Sequence, residues 1–187
     1  VLGPMGGGTS VELSGANLAS VTGVTFGGSP AGSVVYDPGT GKVTASSPAG
    51  PAGNAAVELT TPYGMATAPA TFRYVAPPTI TSVVNTSVTP NINEGPASIS
   101  VPVTISGTNF VDASVEFDRG GALSSIVVLN ETTITATTPV PVAEGYVMAT
   151  VRTTGGAGSL ASAFYYVNAP TVTAVSPDAG PYAGGTG

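Results

Sequence analysis

The chain has 187 residues, and its ten acidic and four basic side chains give a net charge of −6. The negative charge argues against nucleic acid and against an anionic membrane surface, because both require a basic footprint. The absence of Cys and His removes disulfides, thiolate metal sites and the common Ser–His and Cys–His catalytic arrangements. Only 7% of the residues are charged, far below the usual quarter, which favours a β-rich exported protein with a hydroxyl-covered surface.

Short segments in which apolar and polar side chains alternate predict β-strands. In chain order they are residues 11–14, 24–26, 42–45, 57–59, 72–74, 101–105, 115–117, 133–136, 149–151 and 164–166. Turn-forming Gly, Pro and Asp residues separate them, and no longer segment has helical spacing free of Gly and Pro. Many short strands separated by turns predict a β-sandwich.

The second half of the sequence repeats the first. Residues 11–18 return as 103–110, 72–75 as 164–167 and 78–81 as 170–173, each 92 positions later. Three blocks that share one offset indicate a tandem duplication. We therefore predict a first domain at residues 1–76, a second domain at residues 77–169, and the opening strand segment of a third repeat at residues 170–187.

The predicted joint and the two ends follow from this repeat. Pro77 and Pro78 fix φ and remove two backbone donors, so the preceding strand must end there, and the short linker predicts a semi-rigid rod. Residues 79–90 have no counterpart in the first domain, which we therefore expect to lack its first strand. Residues 171–177 are such a counterpart without a domain of their own, and we interpret the chain as a piece of a longer array.

The repeated blocks carry a family pattern. They begin with Pro-Thr-Ile/Val-Thr-x-Val and end with Phe-x-Tyr-Val, and a Val-x-Phe-Gly-Gly strand stands at residues 24–28. The pattern resembles the IPT/TIG family of immunoglobulin-like domains over nearly the whole chain. The resemblance implies an all-β fold of two tandem immunoglobulin-like sandwiches plus a short stub of a third repeat. It implies no single function, because such domains serve in surface receptors, transcription factors, polysaccharide-degrading enzymes and bacterial surface proteins.

Three acidic residues are the candidates for a metal site or a hydrolytic pair. Glu116 and Asp118 lie two apart on a predicted strand and share a face, and Asp112 is close in sequence. Carboxylate oxygens suit Ca²⁺, and two carboxylates could serve a glycosidase. The first domain has Thr25 and Gly27 at the matching places, so a solvated acidic edge is favoured. We predict no enzyme, no metal site and no cofactor.

Two further motifs have both a structural and a functional interpretation. Ser-Gly-x-Asn, at residues 14–17 and 106–109, is interpreted as a strand-ending turn, since Gly and Asn tolerate positive φ. An exposed tyrosine can stack on a sugar ring. Tyr63 and Tyr165 are therefore the predicted carbohydrate contacts, whereas Tyr166 is expected to pack in the core.

Two functions remain open. The first is a non-catalytic structural or spacer module of a secreted or cell-surface protein of bacterial type, whose partners are further copies of itself or neighbouring repeats. Its variant is an extracellular fibre built by head-to-tail strand addition, with an inter-subunit strand formed by Thr171, Val172, Thr173, Ala174 and Val175. The alternative is an adhesion or polysaccharide-binding accessory module that uses exposed tyrosines and the loops 27–37 and 118–130. No apolar run approaches the roughly 20 residues of a membrane helix, so no membrane insertion is expected in this fragment.

Overall fold

The computed structural model describes residues 1–140, 143–180 and 182–184, and these residues form an all-β chain. The first half contains the strands β1 (Leu2–Pro4), β2 (Ser10–Leu13), β3 (Gly23–Phe26), β4 (Ser29–Pro30), β5 (Val34–Asp37), β6 (Lys42–Ser46), β7 (Gly53–Ala55), β8 (Val57–Thr61), β9 (Gly64–Thr67) and β10 (Phe72–Val75). The second half contains β11 (Thr79–Asn85), β12 (Glu94–Pro96), β13 (Pro102–Thr108), β14 (Ser114–Phe117), β15 (Gly121–Ala122), β16 (Ser124–Asn130), β17 (Thr133–Thr137), β18 (Gly145–Thr153) and β19 (Gly156–Val167). A single 3-10 turn spans Leu18–Ser20. No helix in these ranges is long and apolar enough to cross a membrane.

The first half of the chain folds into one sandwich. One layer is the sheet β2–β6–β5, and the other combines β4–β3–β8–β9 with β1–β10–β7. Alternating side chains of both layers point inward, so that Val11 and Val43 meet Val24 and Val57 in one core. The rings of Phe26, Phe72 and Tyr74 pack edge to face in that core, with centroids 5.3 and 4.9 Å apart.

The second half forms a sandwich of the same design. The sheet β11–β13–β17–β16 lies against the five-stranded sheet β12–β19–β18–β14–β15. Its core contains Ile105 and Ile134 from the first sheet and Val151 and Phe164 from the second. The long strands β18 and β19 replace the shorter pairs β7/β8 and β9/β10 of the first sandwich.

The strands predicted from the sequence are confirmed. Each alternating segment overlaps a strand, β10 ends at Val75 directly before the linker, and Tyr166 is fully buried. Asn17 and Asn109 have φ angles of 61° and 58°. Both therefore sit in the left-handed region that the turn interpretation of Ser-Gly-x-Asn requires.

The prediction that residues 27–37 and 118–130 are loops was wrong. The first range contains β4 and β5, and the second contains β15 and β16. β5 and β16 are edge strands of their sheets, and each carries a continuous apolar run, 34–36 in one and 126–129 in the other. Such runs lack the alternation that marks a strand with one buried face, so neither strand was recognised from its pattern.

The two sandwiches differ at one strand. β2 corresponds to β13 and β10 to the end of β19 at the 92-residue spacing of the sequence repeat, and β6 corresponds to β17 at a spacing of 91. β11 is the exception, because no strand among the described residues of the first sandwich takes its place. This difference leaves the outer edge of β2 open within the described residues.

Candidate functional site

An open groove runs along β2 in the first sandwich. Within the described part of the chain, β2 pairs with β6 on one side and with no strand on the other. Two adjoining clefts of about 190 and 220 Å³ lie on that free side. They share the lining residues Leu13, Ser14, Val57, Ala68 and Pro69. The groove therefore combines an apolar floor with the free backbone groups of an edge strand.

In the second sandwich, β11 fills the corresponding place. It pairs antiparallel with β13, and the register runs from Thr79 opposite Thr108 to Asn85 opposite Val103. The Oγ1 atoms of Thr79 and Thr108 are 2.8 Å apart. Val83 points into the core and is 1% exposed. β11 is thus the strand that closes the core on this side.

A glycine lies where β11 crosses β13. A Cβ atom on Gly107 would lie 1.9 Å from the carbonyl oxygen of Thr79, so any side chain would push β11 away. The counterpart in the first sandwich is Gly15, where a Cβ would meet nothing nearer than Leu18 Cδ2 at 3.6 Å. Neither glycine has a positive φ angle. Conformational freedom therefore explains neither of them, and within this chain a close crossing explains only Gly107.

The segment predicted to be an inter-subunit strand lies in the open. Residues 171–175 are exposed and belong to no strand of this chain. The side chains of Val172 and Val175 are 84% and 72% exposed. Their counterparts in β11 are Ile80 and Val83, which are both buried. The same sequence pattern is therefore buried in one copy and exposed in the other.

Three contacts define the joint between the sandwiches. Arg73 donates from Nη2 to both carboxylate oxygens of Glu131, at 2.6 and 2.8 Å. Asn109 donates from Nδ2 to the carbonyl oxygen of Pro77 at 3.0 Å. A Cβ atom on Gly155 would lie only 2.2 Å from the carbonyl oxygen of Ala76. The three-residue linker 76–78 therefore has polar and close-packed contacts with the second sandwich.

The two tyrosines predicted to contact carbohydrate lie in different sandwiches. Tyr63 lies in the turn between β8 and β9 and is 90% exposed. Tyr165 lies on β19 and is half-buried. Its hydroxyl donates to Glu144 Oε1 at 2.9 Å, and this hydrogen bond is the main cause of a raised pKa of Tyr165. The two residues cannot be treated as one continuous sugar platform.

Tyr146 is a candidate that the sequence analysis missed. It lies on β18 directly opposite Tyr165, and the two ring centroids are 4.7 Å apart. Tyr146 is exposed, and Arg119 donates to its carbonyl oxygen. Cross-strand aromatic pairs are common, but their register is fixed by strand pairing and is not visible in either strand alone. Together these residues form a partly exposed aromatic pair flanked by a carboxylate and a guanidinium.

The acidic residues of the second sandwich have partners of their own. Glu116 forms an ion pair with Arg152 at 2.8 Å. Asp118 follows β14 and accepts a hydrogen bond from the backbone N–H of Met148 at 2.9 Å. In the ranges that the structure describes, no three acidic side chains come close enough to hold one metal ion. The carboxylates of Glu116 and Asp118 therefore each have a partner within this chain.

The layered sheets, their strand order and the internal duplication define a tandem immunoglobulin-like protein. The model of the IPT/TIG domain family matches residues 2–74 and again residues 78–166. The chain belongs to the IPT/TIG family, which confirms the resemblance carried by the repeated blocks. No curated protein sequence matches the chain.

Solved structures that are similar to this chain include a plexin extracellular region, an SGBP-B and a titin tandem. The plexin A4 extracellular region is 23% identical with a TM-score of 0.54, and the match covers 89% of this chain and 17% of that one. SGBP-B from a complex xyloglucan utilization locus in Bacteroides uniformis is 20% identical over 87% of this chain and 46% of that one, with a TM-score of 0.39. The I9–I11 tandem from titin is 15% identical over 90% and 63%, with a TM-score of 0.43. This chain spans less than two thirds of each of these structures. At 23% identity, the likeness to the plexin A4 region concerns the fold alone.

Proposed function

We propose that the chain is a non-catalytic structural module of a secreted or cell-surface bacterial protein, and that its copies join head to tail into an extracellular fibre by strand addition. One observation carries the proposal. The first sandwich has an open groove where the second has β11, and an exposed segment at residues 171–175 repeats the sequence of β11. The functional units in this proposal are residues 1–76, residues 77–169 and the donor segment 170–187.

The groove offers what an added strand requires. Its edge strand β2 presents unpaired backbone groups, and main-chain hydrogen bonds supply the affinity in strand addition. Its floor is apolar, with Leu13, Val57 and Leu59 among the lining residues. An unprotected edge of this kind favours pairing with another chain.

The donor segment has the complementary chemistry. Val172 and Val175 are three residues apart, as Ile80 and Val83 are in β11, where a register shift between Ile80 and Ser82 turns both side chains into the core. The same shift in the donor would turn both valines to one face. Burying each valine would stabilise the assembly by about 1.5–3 kcal/mol. The segment pairs with no strand among the residues that the structure describes, so adding it elsewhere breaks no sheet seen there.

Deletion variants test the fibre directly. We expect the full chain to form large species in sedimentation velocity and filaments in negative-stain electron microscopy. Deleting residues 170–187 should leave monomers, because the donor is gone. The matched control deletes only residues 178–187, which keeps the donor segment and should keep assembly. Monomers for all three chains at high concentration would refute the proposal.

A second candidate function, polysaccharide binding, is favoured by the Tyr146–Tyr165 pair. Exposed aromatic rings stack on sugars, and Glu144 and Arg119 beside the pair could bond to hydroxyl groups. Tyr146→Ala should then abolish binding on a glycan array, whereas Tyr63→Ala, which changes an exposed tyrosine of the other sandwich, should not. A blank array with the folded wild-type chain would remove this candidate.

A further inference from the structure

Gly15 of the first sandwich corresponds to Gly107 of the second, where the neighbouring strand β11 requires a glycine. At Gly107 the requirement is visible, since the carbonyl oxygen of Thr79 lies where a Cβ would stand. At Gly15 the same space is empty, and the residue has no positive φ angle. A glycine whose Cβ would make only an ordinary contact, and whose backbone conformation is not special, is unexplained by this chain alone. A strand crossing Gly15 from outside would explain it.

We infer that residues 171–177 of a second copy cross Gly15 in the register that β11 has on β13. This inference rests on the proposed strand addition and gives it a partner, a direction and a register. Shifting the observed pairs by the repeat of 92 residues gives the new ones. Thr171 then stands opposite Ala16, Val172 opposite Gly15 and Val175 opposite Leu13, with the donor antiparallel to β2.

The side chains of the donor fit this register. Val172 and Val175 take the places of Ile80 and Val83, which are buried in the second sandwich. Both valines would face the clefts that adjoin Leu13. Because the two valines are three apart, both face inward only if the donor keeps the register shift that β11 has between Ile80 and Ser82. With that shift kept, a slip of one residue would turn both valines to solvent, because successive side chains point to opposite faces. The two valines therefore select this register over its neighbours.

Pro177 at the end of the donor is compatible with the same register. It takes the place of Asn85, and a proline has no backbone N–H to donate. In β11 the N–H of Asn85 points away from β13 and donates to the carbonyl oxygen of Ile92 at 2.6 Å. A proline at this position would therefore remove no hydrogen bond between the donor and β2.

The donor segment resembles β11, but the residues that contact the linker before β11 have no equivalents at the joint between copies. The joint between copies therefore differs from the joint within the chain. Tyr63 occupies the position that Gly155 has in the second sandwich. A Cβ atom on Gly155 would lie only 2.2 Å from the carbonyl oxygen of Ala76, so the linker passes very close to that glycine. The corresponding carbonyl of an incoming copy, at Asn168, could not approach Tyr63 so closely. Tyr165 stands where the first sandwich has Arg73, so the ion pair to Glu131 is not repeated between copies. The register is thus held by residues 171–177 and not by the linker.

Gly15→Ala is the first test. Its Cβ would meet only an ordinary contact at 3.6 Å in the free chain, so thermal stability should not fall. Assembly should be lost, or the protein concentration that it requires should rise at least tenfold. The matched control is Gly6→Ala, also in the first sandwich, where a Cβ has open space and assembly should persist. Fibres from Gly15→Ala as abundant as from wild type would overturn the register and leave the fibre itself standing.

Engineered cysteines test the register independently, because the natural chain contains none. An Ala16→Cys chain mixed with a Thr171→Cys chain should form an intermolecular disulfide, since the corresponding Oγ1 atoms of Thr108 and Thr79 are 2.8 Å apart. An Ala16→Cys chain mixed with a Val172→Cys chain is the one-residue slip, and it should cross-link at least tenfold less. Each variant oxidised alone gives the background. Equal cross-linking of the two mixtures would overturn the register, whereas absence of any assembly would overturn both this inference and the proposed function.

Discussion

A pair of glycine substitutions tests whether the close crossing of β11 over β13 controls stability. In Gly107→Ala the new Cβ would lie 1.9 Å from the carbonyl oxygen of Thr79 and 2.5 Å from Cζ of Phe110. Contacts this short cannot persist, so β11 or the phenylalanine ring must move. Forcing one extra carbon into a packed site costs about 1–3 kcal/mol, and we expect a loss of that size.

Gly15→Ala is the matched substitution in the first sandwich, and it should change the free energy of unfolding in the opposite direction. Its Cβ fits without a clash, and replacing glycine at a compatible site stabilises a protein by about 0.4–1 kcal/mol through the unfolded chain. The same chemical change is therefore predicted to destabilise one sandwich and not the other. The difference comes only from β11.

Thermal unfolding followed by circular dichroism measures both changes. For a domain of this size, each kcal/mol shifts the midpoint by about 4–8 °C, so Gly107→Ala should lower the relevant transition by at least a few degrees. The measurement is made on dilute chains and repeated without residues 170–187, so that strand addition does not contribute. Equal losses for the two substitutions would refute the argument, because they would show that the glycines serve the local turn and not a crossing strand.

Three other outcomes follow from single contacts. Burial raises the pKa of Tyr74 and Tyr166 above 10.0. The stability that these tyrosines confer is therefore complete below the unfolded pKa near 10 and is lost as the pH rises through the folded pKa. Denaturant titrations from pH 8 to 12 should show this loss, and a flat profile would contradict it. Tyr166→Phe removes the hydrogen bond to the carbonyl of Pro139 and should cost about 1 kcal/mol in the same titrations. Arg73→Ala breaks a surface-exposed ion pair and should cost less than about 1 kcal/mol, yet it should broaden the distribution of inter-sandwich distances in small-angle scattering, and an unchanged distribution would count against a role of that ion pair in the joint.

The core strands were predictable from the sequence because one face of each is buried. Val24 and Phe26, for example, alternate with polar neighbours, and Val115 and Phe117 repeat the pattern in the second copy. The duplication made each half a check on the other, and it revealed that β11 lacked a counterpart. The left-handed turns at Asn17 and Asn109 were predictable for the same reason, since residue type and position recur together.

The edge strands and the aromatic pair were not predictable because they depend on tertiary pairing. β16 carries Val127 and Leu129 as exposed residues on an edge, so burial leaves no alternating pattern in its sequence. Tyr146 became a candidate only when strand register placed it beside Tyr165. The groove floor likewise needs Ala68, which reaches Leu13 only through the packing of the two layers. Alternation is a property of one strand, whereas a site is formed by residues from several strands.

The positions of donor and groove decide what kind of assembly strand addition can give. The groove belongs to the first sandwich and the donor follows the second, so the two surfaces in a contact are different and the contact is heterologous. Heterologous contacts continue into filaments or close into rings, and do not stop at a two-fold dimer. Chains that lack residues 170–187 keep the groove but carry no donor, so they should bind one end of a growing filament and terminate it. Filament length in electron micrographs should therefore fall as the fraction of this variant rises, whereas chains that lack only residues 178–187 should co-assemble without shortening. Unchanged lengths with the truncated chain would show that filaments grow through some other surface.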